Sequence, residues 1–289
     1  MQSYNIAGFS IWISGKGLEH ISGFSPFLLS ADDSCKPLLV IELGRDTLQD
    51  WDRTPLHSFM FEEMDCGFAH DGNRYFFRMK QNAAPLLMEI YPWEDAFLAV
   101  TNMDENTPGY KLRFAVWMAF GIAAAHRQIL PVHASTIVCG GKSILFLGES
   151  GTGKSTHSRL WLNNIPDTKL LNDDSPLLCI KEEKKVYACG SPWSGKTPCY
   201  KNEQAPVAGI VRLSQAPRNR IKRLTGIAAI GALWPSCPPA FACDEALSDR
   251  MLEIISVVLQ EVPVYSLECL PDAAAAQLVF LTLKNEGRL

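Results

Sequence analysis

The sequence predicts an α/β (α+β) protein in which a small antiparallel β-rich domain precedes a larger domain of strands and helices. Three observations favour this fold class. Turn residues separate short apolar segments in the first hundred residues, strand and helix patterns alternate after residue 110, and 289 residues are enough for two domains of roughly 150 residues each. We therefore predict domains at residues 1–109 and 110–289.

Composition narrows the class of protein. The formal charge is −4, from 27 basic and 31 acidic residues, which argues against an electrostatically driven nucleic-acid binder or a polybasic membrane-surface protein. The longest apolar run, 114–125, is far below the roughly 20 residues that span a bilayer, so we expect a cytoplasmic protein. The nine cysteines are scattered and include no Cys-x-x-Cys, which favours buried thiols over disulfides or structural zinc.

The first domain is predicted from its turns. Apolar residues 9–13 form a first strand, and Asp71-Gly72-Asn73 lies between two strand patterns, because Asp-Gly readily takes the positive φ angles of a tight turn. Residues 92–95 separate a second pair in the same manner. The polar segment 103–109, which contains Pro and Gly, is the predicted domain boundary.

The second domain begins with a helix predicted at 110–130, which Pro131 ends. A hairpin follows, with strands at 134–139 and 143–147 around Gly140-Gly141. The remaining predicted elements are a strand at 169–172, a hairpin of 210–213 with 220–224, and helices at 227–234, 244–261 and 272–284.

A glycine-rich motif directly follows the strand at 143–147. It comprises Gly148, Glu149, Ser150, Gly151, Thr152, Gly153, Lys154 and Ser155. The order matches the phosphate-binding P-loop, between a strand and a helix predicted at 155–162. Glycines let backbone N–H groups turn toward phosphate oxygens, and the positive end of the helix adds to the attraction. Lys154 is predicted to reach the β- and γ-phosphates and Ser155 to bind Mg²⁺, with Thr156 as the next nucleotide-binding residue.

An acidic pair ends the next predicted strand. Asp173 lies 19 residues after Lys154, and Asp174 follows it. That interval accommodates a helix, a loop and a strand, which predicts that the two strands are close neighbours in one sheet. One carboxylate would orient or deprotonate an attacking hydroxyl and the other would support the metal. The residues alone leave open which carboxylate has which role.

The hairpin, the segment 145–155 and Asn172-Asp173-Asp174 together resemble the C-terminal catalytic domain of HPr kinase/phosphorylases. The chain is also similar here to ATP-type phosphoenolpyruvate carboxykinases, which share that nucleotide-binding core. The resemblance covers residues 132–213 and extends loosely over 110–289. It implies an HPr kinase-like P-loop domain that uses ATP and Mg²⁺, and it leaves the first domain for recognition.

The same resemblance implies individual roles. Asp173 would be the catalytic base that takes the proton of the acceptor, and His133 matches the family histidine that assists it. Lys154 and Ser155 would contact phosphate and Mg²⁺. Glu203, which precedes a glycine-containing strand, echoes the metal-binding glutamate of the family. With Asp173 as the base, Asp174 is the carboxylate of the pair that is left to support the metal.

Three other features have both a functional and a structural interpretation. The loop 190–198 would place Trp193 and Lys196 near the nucleotide, or would simply be exposed. Five basic residues between 212 and 223 favour a solvated face, although an arginine there would suit a phosphoryl group or an acidic protein. His157 lies in the first turn of the P-loop helix, and we expect it to have a structural role rather than a catalytic one.

The predicted function is ATP- and Mg²⁺-dependent transfer of the γ-phosphoryl group to a hydroxyl, on a serine of a protein or peptide or on a small molecule. Two alternatives remain, a carboxykinase-like lyase and a non-catalytic module that binds ATP. No nucleic-acid or membrane partner is expected, and the sequence leaves homo-oligomerisation open.

Overall fold

The computed structural model describes residues 1–17, 21–30, 36–81, 84–195 and 197–289, and it shows a mixed α/β (α+β) architecture with two large sheets. The helices are α1 (Gly109–Ala125), α2 (Lys154–Asn164), α3 (Ile227–Leu233), α4 (Pro239–Ala242), α5 (Glu245–Glu261) and α6 (Ala273–Asn285). Within the described part of the chain, no helix is both long enough and apolar enough to cross a membrane.

The strands form two groups. The first sheet contains β1 (Gln2–Ile6), β2 (Phe9–Ser14), β3 (Pro37–Glu42), β4 (His57–Phe61), β5 (Met64–Asp71), β6 (Arg74–Lys80), β7 (Leu86–Trp93) and β8 (Ala96–Thr101). The second contains β9 (Ile129–Pro131), β10 (Ala134–Cys139), β11 (Lys142–Leu147), β12 (Thr168–Asp174), β13 (Leu177–Ile180), β14 (Val186–Cys189), β15 (Gln204–Gln215), β16 (Arg220–Leu224) and β17 (Val264–Cys269).

The chain divides into two compact units whose limits differ from the predicted boundary at 103–109. One unit comprises Met1–Arg127 with Pro239–Asp249, and the other comprises Gln128–Pro238 with Arg250–Leu289. Helix α1 belongs to the first unit, where it packs against β3 and β8. It ends at Ala125 rather than at the predicted residue 130, because the chain continues into β9.

The first sheet has the strand order β1-β2-β3-β8-β7-β6-β5-β4. Both predicted hairpins are present, with Asp71 opposite Arg74 in one and Trp93 opposite Ala96 in the other. The prediction of an antiparallel domain is wrong at β3, which runs parallel to both β2 and β8. Parallel neighbours need long crossover connections, and neither parallel pair is joined by a tight turn that sequence could reveal.

The second sheet surrounds the hairpin of β10 and β11. Strand β10 is antiparallel to β11 on one side and to β12 on the other, so β11 and β12 run in the same direction. Strand β15 is parallel to β11, and β17 is parallel to β15. Helices α2 and α6 pack together over this sheet, and a core that includes Phe146, Trp161, Tyr265 and Val279 lies beneath them.

The predicted hairpin between 210–213 and 220–224 is wrong. Strand β17 lies between the two segments and pairs with both, in parallel with β15 and antiparallel with β16. The turn at 215–217 therefore separates strands that are not neighbours. Parallel pairing of β15 with β17 buries both strands. The stabilisation from this burial outweighs the tendency of residues 215–217 to form a hairpin turn.

One edge of the second sheet gathers several strand ends. Ala134 at the start of β10 lies opposite Leu147 at the end of β11 and opposite Asp174 at the end of β12. Leu147 in turn lies opposite Arg212 of β15. Three parts of the chain thus meet at this edge: the residues that follow β11, those that follow β12, and the residue that precedes β10. The carboxyl edge of parallel strands is where α/β proteins bind ligands.

Candidate functional site

A glycine-rich loop leads from β11 to α2. Thr152 closes it, because both its backbone N–H (3.1 Å) and its hydroxyl (2.6 Å) donate to the carbonyl oxygen of Glu149. At Gly148 (φ +153°) a Cβ would lie 3.1 Å from the Thr152 side chain, so a larger residue would require that side chain to shift. Gly153 (φ +106°) has a left-handed conformation that favours glycine, and it caps α2. Helix α2 therefore begins at Lys154, with its free N–H groups beside the loop.

The Lys154 side chain folds back over this loop. Its Nζ donates to the carbonyl oxygens of Gly148 (2.7 Å) and Glu149 (3.2 Å) and lies 2.9 Å from Nε2 of His133. Burial lowers the pKa of the Lys154 ammonium, and the nearby carboxylates Asp174, Glu149 and Asp173 oppose that shift. The lysine is thus a partly desolvated cation whose three N–H groups are occupied by neutral acceptors.

His133 joins the lysine to the acidic pair. Its Nδ1 lies 3.3 Å from Oδ1 of Asp174, while its Nε2 faces Lys154. Because an ammonium group can only donate, Nε2 accepts from it, and a neutral His133 ring carries its proton on Nδ1, toward Asp174. The backbone N–H of His133 donates to the carbonyl oxygen of Ser236 at 2.7 Å, which fixes the residue just before β10.

Asp173 is buried, with 7% of its surface exposed, on the strand that pairs with β10. Its Oδ1 has no hydrogen-bond partner among the described residues. A buried carboxylate oxygen without a partner costs roughly 1–3 kcal/mol or more, and such atoms in native proteins need an explanation. A water molecule, a donating hydroxyl or a cation from outside the chain would satisfy this oxygen.

Asn172 holds the segment around the acidic pair, a structural role that its motif did not predict. The side chain is fully buried, and its Oδ1 accepts the backbone N–H groups of Asp174 (3.1 Å) and Ser175 (2.9 Å). Its amide donates to the Trp193 carbonyl oxygen at 2.9 Å. Asparagine commonly makes this local turn contact, which was the available signal.

The predicted loop at 190–198 does approach the site. Gly195 donates its N–H to the Asp173 carbonyl oxygen (3.2 Å), and a Cβ on Gly195 would lie 2.9 Å from that oxygen. The backbones are therefore in close contact, and a larger side chain at position 195 would push the acidic pair. Trp193 is buried at this loop, and Lys196 lies outside the described residues.

Arg212 is the basic residue that the structure brings to this edge. Its guanidinium donates to Oε1 of Glu149, in the glycine-rich loop, at 2.6 Å and to the carbonyl oxygen of Ala232 at 3.1 Å. The other basic residues of the 212–223 segment, namely Arg218, Arg220, Lys222 and Arg223, are exposed. The segment is therefore a solvated face except at Arg212, whose position opposite Leu147 no local pattern revealed.

Glu203 lies away from the other predicted metal-binding residues. Its carboxylate accepts a hydrogen bond from Lys169, near the start of β12, and this contact lowers the pKa of Glu203. The length of β12 separates that position from Asp174 by roughly 15 Å. Among the described residues no group of three His, Cys, Asp or Glu side chains is arranged to hold a metal ion. Of the predicted ligands, Ser155 and Asp174 remain at the loop edge.

His157 lies inside the molecule, on the face of α2 that covers the sheet. It is 2% exposed, contacts Phe146 edge-on, and accepts at Nε2 a hydrogen bond from Nε1 of Trp161 at 3.3 Å. Burial lowers the pKa of His157 to about 4. The imidazole is therefore neutral over the physiological pH range.

Stability is expected to decrease with falling pH because of this histidine. Between about pH 6.5 and the folded-state pKa of about 4, the unfolded chain binds a proton at residue 157 that the folded chain does not. The contribution is complete above that window and falls by up to about 3 kcal/mol through it. Denaturant unfolding at about pH 7 and about pH 4.5 should show wild type losing more stability than His157→Gln. Equal losses of stability in wild type and His157→Gln would contradict a buried, neutral His157.

Comparison with known proteins places these features in context. No family model matches the chain, and no curated protein matches it. Among solved structures, the HPr(Ser) kinase/phosphatase from Coxiella burnetii is similar over 54% of this chain and 89% of its own, with 15% sequence identity and a TM-score of 0.32. At this TM-score the similarity carries no assignment of fold, activity or residues.

Proposed function

We propose that the protein is an ATP- and Mg²⁺-dependent kinase that transfers the γ-phosphoryl group to a hydroxyl, with a serine of a protein or peptide as the preferred acceptor. One observation carries the proposal. The glycine-rich loop, His133 and the acidic pair meet at one sheet edge, where Leu147, Ala134 and Asp174 lie side by side. Phosphoryl transfer needs a cationic phosphate cradle beside a carboxylate, and this edge supplies both.

The loop is the proposed phosphate site. The N–H groups at the start of α2 and the left-handed turn at Gly153 suit anionic oxygens. Lys154 donates to two loop carbonyl oxygens, and phosphate oxygens, which carry charge, form stronger bonds to an ammonium group than carbonyls do. Bound phosphate oxygens would therefore replace the loop carbonyl oxygens as hydrogen-bond acceptors of the Lys154 ammonium group. Its partial burial increases the strength of that attraction.

The residues present fit a magnesium ion. Mg²⁺ prefers oxygen ligands, and the hydroxyl of Ser155 at the first turn of α2 and the carboxylate of Asp174 are such ligands. The unpartnered Oδ1 of Asp173 is the structural observation that favours a group from outside the chain. When bound, the ion would neutralise charge on the β- and γ-phosphates.

The two carboxylates differ in their surroundings, and this favours a division of roles. Asp174 is engaged by His133, whereas Asp173 has a free oxygen, so Asp173 is the proposed base. The acceptor oxygen would attack the γ-phosphorus while its proton passes to Asp173. The bond from that phosphorus to the β–γ bridging oxygen breaks, and ADP leaves with the electron pair. His133 would orient Lys154 and Asp174 toward this reaction.

Label transfer tests the function. Wild-type protein, Mg²⁺ and ATP labelled at the γ-position should be incubated with a lysate of the source cell, beside Lys154→Ala and Asp173→Asn. We expect a labelled species that neither variant produces, and phosphoserine in it after hydrolysis if it is a protein. Absence of any label specific to wild type, in protein and small-molecule fractions alike, would count against a kinase.

Arg212→Ala is expected to slow transfer by about 10²-fold, because the guanidinium lies beside the loop and would stabilise charge that develops on the phosphoryl group. Arg212→Lys should recover part of the rate, since it keeps the charge but loses the fork geometry. Arg220→Ala, the same substitution at an exposed position of β16, is the matched control. Equal rates for Arg212→Ala and the control would exclude a role in transfer.

A further inference from the structure

Glu149 is an acidic residue in a loop that is proposed to bind anions. It is the one carboxylate in residues 148–155, and its side chain is 75% exposed. A free negative charge there would repel the phosphates of a nucleotide. Its Oε1 accepts a hydrogen bond from Nη2 of Arg212 at 2.6 Å, but an ion pair this exposed contributes little to stability. The pair therefore calls for an explanation other than the stability of the fold.

The shape of the loop depends on the backbone of Glu149 and not on its side chain. The Glu149 carbonyl oxygen accepts hydrogen bonds from the N–H (3.1 Å) and the hydroxyl (2.6 Å) of Thr152 and from Nζ of Lys154 (3.2 Å). Among the described residues, the carboxylate makes its hydrogen bond and ion pair with Arg212 alone. A substitution of the side chain thus removes the ion pair and leaves the bonds that close the loop.

The guanidinium of Arg212 is held at two points. Its Nη1 donates to the carbonyl oxygen of Ala232, in α3, at 3.1 Å, and its Nη2 donates to Glu149. A guanidinium group has five N–H donors, so three of them have no partner among the described residues. The bond to the carboxylate is the stronger of the two contacts, because both groups are charged. Without it, a single neutral oxygen would hold the guanidinium.

Arg212 also lies close to the second cation of the loop. Burial lowers the pKa of the Lys154 ammonium, and the positive charge of Arg212 adds to that shift. The loop is therefore flanked by a cation from α2 and a cation from β15. Charged groups stabilise a transition state best when they are held in place before the reaction. The orientation of Arg212 is thus expected to affect the rate of transfer.

We propose that Glu149 is a positioning residue whose carboxylate holds the guanidinium of Arg212 at the glycine-rich loop, with N–H groups left for the transferring phosphoryl group. In return, Arg212 neutralises the carboxylate, so that phosphates can occupy the loop. This inference rests on the proposed kinase function and on the proposed role of Arg212 in it. It predicts that loss of the Glu149 carboxylate has opposite effects on nucleotide binding and on the rate of transfer.

Glu149→Ala is expected to lower the rate of transfer at saturating ATP by about tenfold, because Arg212 loses its charged partner. It should raise the affinity for Mg²⁺-ATP by about threefold, since a like charge leaves the loop. Glu149→Gln should recover most of the lost rate, because its amide oxygen still accepts a hydrogen bond from the guanidinium. Transfer of label to the acceptor, or release of labelled phosphate to water, measures the rate, and calorimetry measures the affinity.

A second substitution separates positioning from damage to the loop. Arg212→Ala leaves the Glu149 charge unneutralised, so its ATP affinity should fall about threefold below wild type. The double variant, Glu149→Ala with Arg212→Ala, should bind ATP more tightly than Arg212→Ala and transfer at the same rate as Arg212→Ala. A damaged loop would instead lower binding and rate together. Glu183→Ala, which breaks an exposed ion pair with Lys185 (2.7 Å) in the turn after β13, is the matched control and should behave as wild type.

Three results would overturn the inference while Arg212→Ala remains slow. They are an unchanged rate in Glu149→Ala, weaker ATP binding by that variant, and a double variant in which the two rate losses multiply. Failure of the function itself looks different. If wild type transfers no phosphoryl group, or if Arg212→Ala is as fast as Arg220→Ala, the proposed function or the role of Arg212 is wrong, and the positioning role fails with it.

Discussion

Asp173→Asn is expected to lower the rate of phosphoryl transfer by about 10²–10⁴-fold and to leave ATP bound. The amide has nearly the same size as the carboxylate, but it cannot accept the proton of the attacking hydroxyl. Its amide group can still occupy the buried position in which Oδ1 of Asp173 lacks a partner. Transfer of label to the acceptor, or release of labelled phosphate to water, measures the rate, and calorimetry with ATP measures binding.

Asp167→Asn is the matched control for this variant. The same substitution lies just before β12, at the edge of the sheet opposite to Asp173, and the side chain is exposed. Asparagine also accepts the positive φ angle of +53° at that position. A wild-type rate in Asp173→Asn would show that the base is another group, and loss of ATP binding would show that Asp173 serves the nucleotide instead.

Lys154→Ala is expected to weaken ATP binding by about 10²-fold and to slow transfer by at least about 10²–10³-fold. The ammonium is the cation closest to the loop carbonyls, and no other described lysine donates to them. Removing the ammonium group also leaves Nε2 of His133 without its hydrogen-bond donor. Affinity for Mg²⁺-ATP and the rate at saturating ATP should both be measured. The affinity reports contacts of Lys154 in the bound complex, and the rate reports contacts in the transition state of transfer.

Lys142→Ala provides the comparison, since Lys142 is exposed at the start of the same strand, β11, at the opposite edge. It should retain both binding and transfer. Equal behaviour of the two variants would contradict a phosphate role for Lys154. Unfolding transitions of both variants should be recorded as well, because an altered midpoint would show that the loop of Lys154→Ala has lost structure.

Local features of the sequence predicted much of the structure. The turns near Gly72 and at Gly140-Gly141 were identified by glycines that take positive φ angles, and the paired strands follow. The strand, glycine-rich loop and helix around Lys154 were likewise predicted, because their signals lie within about twenty consecutive residues. The roles of these residues in catalysis stay predictions until the variants are measured.

Pairing between distant segments could not be predicted in the same way. Strand β10 lies between β11 and β12, which were expected to be close neighbours, and β17 lies between β15 and β16. The family resemblance grouped Glu203 with the metal-binding residues, but Glu203 pairs with Lys169 near the other end of β12. Arg212 is brought to the loop by its register with Leu147. Register depends on the packing of whole strands, which short motifs do not encode.

Residue types and spacing indicate which class of chemistry to look for, since a glycine-rich loop before a helix and a nearby acidic pair can be recognised in the sequence. Which side chains share the site follows from strand pairing: His133 and Arg212 are at the loop edge and Glu203 is not. A strand carries its two ends to opposite edges of a sheet, so residues close in sequence separate while distant ones meet.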